Sequence, residues 1–343
     1  MTEEVSNDVE LSSWLLCAPL NRAIRQHPGL FCSPLYWTQR QWSILRVQLL
    51  HAHDAERRST INSKPFASIR VPEISISVRR YVNQLECSSF LPERLPQRVA
   101  AMRGLLNGWE GIESGNRLEI HDEKLPLLYG NQATYFLPAI GTYSFSDSGG
   151  EWELAHVDGS HLAQARRKRP MRSRHRILGD ESQGRDSLFF IPGLLIAMAQ
   201  SHQYRQQLEP AEQTDSARTK RSQFCVLLTD CRVDNSSVHL YTTSYPDALI
   251  KLLQAPEKPL QLETPWPSHM PFLTIEHMPI PYQPFTTFRS RLRDAIFQTQ
   301  DDEGARKREQ SQATESPLGP NKRPCTLDHS REPLEAKAPN ERT

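Results

Sequence analysis

The sequence predicts an α+β protein with a helical N-terminal half, a mixed or antiparallel sheet with flanking helices, and a disordered C-terminal tail. Three observations predict it. Apolar residues recur at steps of three and four up to residue 116, short alternating runs replace them from 117, and no aromatic residue follows Phe297. The chain then divides into a mainly helical region (1–116), a short-strand region (117–157), a basic exposed loop (158–187), a β-α-β-β-α-β-α region (188–298) and the tail (299–343).

In the first region Trp42, Leu45 and Leu49, one turn after Trp37, predict a helix within 36–58. Ile74, Val78, Tyr81 and Leu85 predict a second, and Pro96 opens a third with Val99, Met102, Leu106 and Trp109 as its stripe. The tryptophans sit at helical spacing and are read as core. Between 117 and 157, Leu118 and Ile120 alternate with polar residues, Thr134–Leu137 and Thr142–Phe145 flank Pro138 and Gly141, and Trp152, Leu154 and His156 alternate. These are two to four strands of an antiparallel sheet.

Seven of the eleven residues from Arg166 to Arg176 are Lys or Arg, and a block of one sign repels itself and buries no apolar surface. Order resumes with a strand at Phe189–Ile191, and Pro192 starts a helix running to about Leu208. Gln223–Asp230 is nearly all apolar, as a buried strand is. Asp234-Asn235-Ser236 turns the chain into the partner strand Val238–Thr243. Pro246 opens a helix, Phe272–His277 forms a strand, and Phe285–Phe297 closes the fold as a helix on Phe288, Leu292 and Ile296. The tail holds nine acids, eight bases and almost no large aliphatic side chains, a composition that does not fold.

Composition removes several function classes. Over 343 residues, Lys+Arg (41) balance Asp+Glu (40), so no global field points to nucleic acid or to a charged surface. Mean hydropathy is −0.59, and no run approaches the roughly 18 apolar residues that span a membrane. The acidic start lacks the basic end of a signal peptide, and the six cysteines form no C-x-x-C pair. An intracellular protein with reduced thiols is expected.

Candidate chemistry is sparse. The block Arg166, Arg167, Lys168, Arg169 reads as a nuclear-import or partner-binding signal, with nucleic-acid contact a further use of the same bases. No aromatic residue interleaves with them, so local base stacking is unavailable. His156, Asp158 and His161 offer three metal-ligand donors in six residues, but no recognised spacing completes a metal site. A hairpin centred between Asp234 and Asn235 pairs Asp230 with His239, a carboxylate beside a potential base at the edge of the sheet. The helix–hairpin–helix–strand order fits a restriction-endonuclease-like fold. Its metal chemistry needs an E-x-K, and the sole example, Glu335-Ala336-Lys337, lies in the tail. There is no P-loop, no G-x-G-x-x-G and no G-x-S-x-G, so no cofactor is implied.

The segments IPGLLIAMAQ (191–200), FCVLLTDCRVDNSSVHLYTTSYPDALIKLLQAP (224–256), FLTIEHMPIPY (272–282) and FRSRLRDAI (288–296) cover about a third of the chain. Together this pattern is similar to uncharacterised intracellular proteins of filamentous ascomycete fungi. That resemblance implies no activity and carries no functional residue across.

The reading is a non-catalytic intracellular protein, located in the nucleus, that binds another macromolecule, with a protein as the expected partner and no membrane. Two alternatives stand beside it: an enzyme-like or accessory protein of a fungal secondary-metabolite pathway with a site assembled from dispersed residues, and a catalytically degenerate restriction-endonuclease-like fold.

Overall fold

The computed structural model describes residues 19–26, 32–51, 76–86, 95–107, 119–121, 124–130, 132–139, 141–147, 150–167, 186–208, 221–230, 236–259 and 270–297. Its helices are α1 (Leu20–Gln26), α2 (Gln39–Ile44), α3 (Ile76–Glu86), α4 (Leu95–Asn107), α5 (Gly159–Arg167), α6 (Asp186–Leu208), α7 (Asp247–Gln254) and α8 (Phe285–Phe297). The strands are β1 (Val47–His51), β2 (Glu119–His121), β3 (Lys124–Tyr129), β4 (Gln132–Pro138), β5 (Gly141–Asp147), β6 (Gly150–Asp158), β7 (Arg221–Thr229), β8 (Ser237–Ser244) and β9 (Leu273–Pro281). Seven of them form one mixed sheet in the order β1-β9-β8-β7-β6-β5-β2, and β3 pairs with β4 in a separate hairpin. The α+β class is as the sequence predicts.

Helices cover both faces. Phe224, Val226 and Leu228 of β7 face α6, α7, α2 and the β3–β4 hairpin, whose buried residues include Leu195, Leu249, Trp42 and Leu127. Cys225 and Leu227 point the other way, with Leu154 of β6, and meet Val82, Met102, Leu105 and Phe288 from α3, α4 and α8. Alternation along β7 therefore serves two cores at once, which is why its sequence is a continuous apolar run.

Four departures from the sequence expectation have local causes. Residues 36–58 do not form one helix. Thr38 caps α2, with Gln41 Oε1 accepting from the Thr38 amide at 2.8 Å, and the helix stops before Arg46, whose φ is +47°. Val47 and Leu49 then alternate inward on β1, which runs parallel to β9 as an edge of the sheet. Trp37 and Trp42 are core residues as expected.

Phe189–Ile191 is not a strand: α6 runs unbroken through Pro192. Proline in its second turn removes one backbone bond, a loss that the burial of every residue from Phe189 to Gln200 offsets. Gly193 is required beside it, because a Cβ there would lie 2.4 Å from Pro34 Cβ.

The antiparallel pairing expected of the short-strand region is present in β2–β5–β6, but these strands belong to the larger mixed sheet. β6 runs parallel to β7 from Gly150↔Arg221 to Asp158↔Thr229, which joins it to the later strands. β3, interrupted in sequence by Pro126, was not foreseen; it lies in a two-stranded sheet, where a proline is tolerated at an edge.

The basic loop begins later than expected. Residues 159–167 are helix α5, and half-buried Arg166 donates from Nε to the Leu35 carbonyl at 2.6 Å. Arg166 is thus part of the packing. Lys168 and Arg169, the rest of the loop and the tail lie outside the described residues.

Arg166→Ala is expected to lower unfolding stability in urea by about 1–3 kcal/mol, the range for a charged hydrogen bond with a partly buried partner. Lys251→Ala, which breaks the exposed pair with Asp247, should stay within about 0.5 kcal/mol.

Candidate functional site

In open sheets, ligands collect outside the carboxyl ends of parallel strands. In this chain that is where β6 ends in Asp158 and where Asp230 follows β7. Both carboxylates are buried, at 0% and 1% exposure.

Asp158 Oδ1 accepts from Arg98 Nη2 at 3.0 Å, from the Ser160 amide at 2.9 Å and from the His161 amide at 3.1 Å. The two amides are orphan donors in the first turn of α5, so Asp158 is its N-cap. Arg98 Nη2 also donates to Ser160 Oγ at 3.0 Å, which ties α4 to the start of α5. On the other carboxylate oxygen, Thr229 Oγ1 donates to Oδ2 at 3.2 Å. With its proton on Asp158, the Thr229 hydroxyl accepts from His156 Nε2 across 3.1 Å. This fixes the His156 tautomer, with Nδ1 unprotonated and without a partner among the described residues. Burial first, then the positive charges of Arg98, Arg103 and His161, push His156 down to about 3.

Asp230 accepts from Ser187 Oγ at 2.5 Å, so the first turn of α6 is bound to the end of β7. The carboxylate lies against Gly159, where a Cβ would come within 2.1 Å of Oδ2. Only glycine leaves room for it.

The expected Asp230–His239 cross-strand pair does not form. The observed register places Leu228 opposite His239, because the hairpin centres one residue earlier than Asp234-Asn235 and each such shift moves the pairing by two. Asp230 remains on the face of Leu228 and raises the Tyr241 hydroxyl after burial, the larger cause. His239 instead joins a ladder across three strands. Its Nδ1 lies 3.0 Å from His277 Nε2, and His277 Nδ1 lies 3.1 Å from His51 Nδ1, with Tyr241 stacked on His277 at 4.7 Å.

Of the metal candidates, His156 and Asp158 meet through Thr229, whereas His161 contributes its backbone amide. Asp158 is committed to a guanidinium and a helix start. Among the described residues no group of three His, Cys, Asp or Glu is arranged to hold a metal ion. Nor does any described strand contain an E-x-K; β6 reads Glu151-Trp152-Glu153 and β8 has no acid.

Arg98 escapes sequence reasoning. Of the stripe predicted on α4 (Val99, Met102, Leu106, Trp109), Met102 and Leu106 are buried, Val99 is half-buried and Trp109 lies outside the described residues; Arg98, Ala101 and Leu105 complete the buried face. An arginine in a helical repeat reads as solvent-facing, and its partner is 60 residues away.

A histidine titrating near 3 when folded and near 6.5 when unfolded refuses a proton that the unfolded chain accepts. Its stabilising contribution is complete above about pH 6.5 and falls by up to about 1.4 kcal/mol per unit as pH drops towards 3. His156→Gln is expected to flatten the stability profile between pH 6 and pH 4 relative to the native chain, measured by urea unfolding. Parallel profiles would show that His156 is not the group responsible.

No protein family, no curated protein and no solved structure matches the chain.

Proposed function

We propose that the chain is a binding protein that holds an extended segment of a partner protein as an added strand along β1. The supporting observation is the sheet edge itself. β1 pairs with β9 on one side and with no strand on the other among the described residues, and Gln48, Leu50 and His51 are exposed. Leu50, a large apolar side chain, is 40% exposed there. A five-residue edge presents unpaired N–H and C=O groups that an incoming strand satisfies, and alternate side chains then select the sequence. The opposite edge, β2, has three residues and is a poorer template.

The buried acids agree with a binding role. Asp158 and Asp230, which stand where a catalytic site would be sought, already neutralise or cap other parts of the chain. We place the protein in the nucleus and assign the import signal to Arg167, Lys168 and Arg169, since Arg166 is engaged with Leu35.

One observation favours a second reading, a degenerate nuclease-like sheet. Helix α4, the β5–β6 hairpin, helix α6 and strand β7 come in that chain order, with β2, β3 and β4 inserted before the hairpin and α5 after it, and β7 runs parallel to β6, an interrupted form of the helix–hairpin–helix–strand layout. Without an E-x-K on the described strands, what such a sheet retains is the capacity to bind.

Amide exchange and a photo-reactive side chain at position 48 test the strand-addition proposal. The outward amides of β1 should exchange quickly in the isolated chain. Cross-links from position 48 should join an extended segment of the partner, and Leu50→Lys should abolish them without changing Tm. Slow exchange along all of β1 in the isolated chain, or cross-links indifferent to Leu50→Lys, would contradict it.

A further inference from the structure

At the amino-terminal ends of β6 and β7, three dispersed residues form a relay unconnected with the edge strand. Glu153 and Ser222 lie on one face of the sheet, on neighbouring strands, and α6 lays His202 between them. His202 Nδ1 is 2.8 Å from Glu153 Oε1. A carboxylate only accepts, so the proton is on Nδ1. When Nε2 carries no proton, its lone pair faces Ser222 Oγ at 2.8 Å. Arg205 donates to the same Glu153 oxygen and holds it from a second side. Phe224 meets the imidazole edge-on at 5.6 Å and forms an apolar wall. Glu153 and His202 are buried, whereas Ser222 is half-buried.

This is the geometry of an activated hydroxyl: nucleophile, base and orienting carboxylate, each within hydrogen-bond reach of the next. We propose that Ser222, His202 and Glu153 form an acyl-transfer site that cleaves carboxylic esters. Ser222 Oγ attacks the ester carbonyl carbon as its proton passes to His202 Nε2. The carbon–alkoxy bond breaks, and the alcohol leaves with that proton. Water then attacks the acyl-serine, gives its proton to Nε2, and Ser222 recovers the proton as the acid departs. Ester and water become acid and alcohol, with no other reactant.

Gln206 supplies the remaining element. Its Nε2 also lies 2.8 Å from His202 Nε2, and one lone pair cannot accept from both Ser222 and Gln206. While Ser222 holds the lone pair, the Gln206 amide is the donor that this site would turn to a developing oxyanion. A single side-chain donor suits an ester carbonyl, which is more electrophilic than an amide. The site shares no residue with β1, so failure of either proposal leaves the other standing.

The test uses the full chain with a fluorophosphonate probe and p-nitrophenyl acetate. One probe molecule should attach per chain, at Ser222 by peptide mapping, and Ser222→Ala should abolish labelling and enzymatic turnover. His202→Gln should slow labelling by about 10²–10⁴. Glu153 is a positioning residue, and Glu153→Gln should lower kcat and displace the acid limb of the pH–rate profile, which a packing defect alone would not do. Ser222→Cys provides a check that does not depend on how alanine is tolerated: it should be alkylated by iodoacetamide at pH 7 faster than any native thiol. A folded native chain without an adduct at Ser222, turnover that survives Ser222→Ala, or a slow Ser222→Cys thiol would overturn the proposal.

Discussion

The ion pair between Arg98 and Asp158 is the interaction on which the rest of the arrangement depends. Its side chains are 2% and 0% exposed, and a charge in that position is tolerated only with full compensation. Asp158 has it: a guanidinium, two helix-start amides and the Thr229 hydroxyl. One carboxylate thereby fastens α4 to the sheet, begins α5 and orients Thr229. Through Thr229 it sets the tautomer of His156, which burial and the neighbouring cations keep neutral. Loss of either charge would strand the other in the interior, at about 3–5 kcal/mol.

This constraint also distributes the chemistry of the molecule. The carboxyl ends of β6 and β7 carry acids already spent on architecture: Asp158 on two helices, Asp230 on the start of α6 and on the space over Gly159. Reactive geometry is found at the other end of the same two strands, where Ser222 is partly open and His202 stands between it and Glu153. Binding, in turn, is proposed at β1, the edge farthest from β2 in the strand order. A sheet with both faces covered by helices leaves its edges and strand ends as the surfaces available for function.

Much of the fold is legible in the sequence where a single local signal decides it. α3, α4, α7 and α8, and the β7–β8 pair, follow from apolar spacing and from Pro96 and Pro246. The failures arise where two signals compete. Leu49 fits a helical step from Leu45 and a strand alternation with Val47, and only Arg46 at positive φ separates them. Pro192 reads as the break between a strand and a helix, yet burial holds it inside α6, and β3, which carries Pro126 at a sheet edge, shows no alternating run. The parallel β6–β7 pairing links residues about 70 apart and has no local signature. The sites show the same division. His156 and Asp158 stand out as a cluster, but Arg98 hides in a helical repeat, and Ser222 lies in Arg-Ser-Gln, which resembles no nucleophile motif. Their meaning comes from partners on other elements.

The central claim is that Arg98 and Asp158 stabilise the fold as a compensated pair. It is tested most directly by a double-mutant cycle with Arg98→Met and Asp158→Asn, the latter keeping an acceptor for the helix cap, followed by urea unfolding. Each single change should cost several kcal/mol, and the double change should cost clearly less than their sum, by about 2 kcal/mol or more, because no charge is then left stranded. Additive losses, or single changes that leave stability intact, would contradict it.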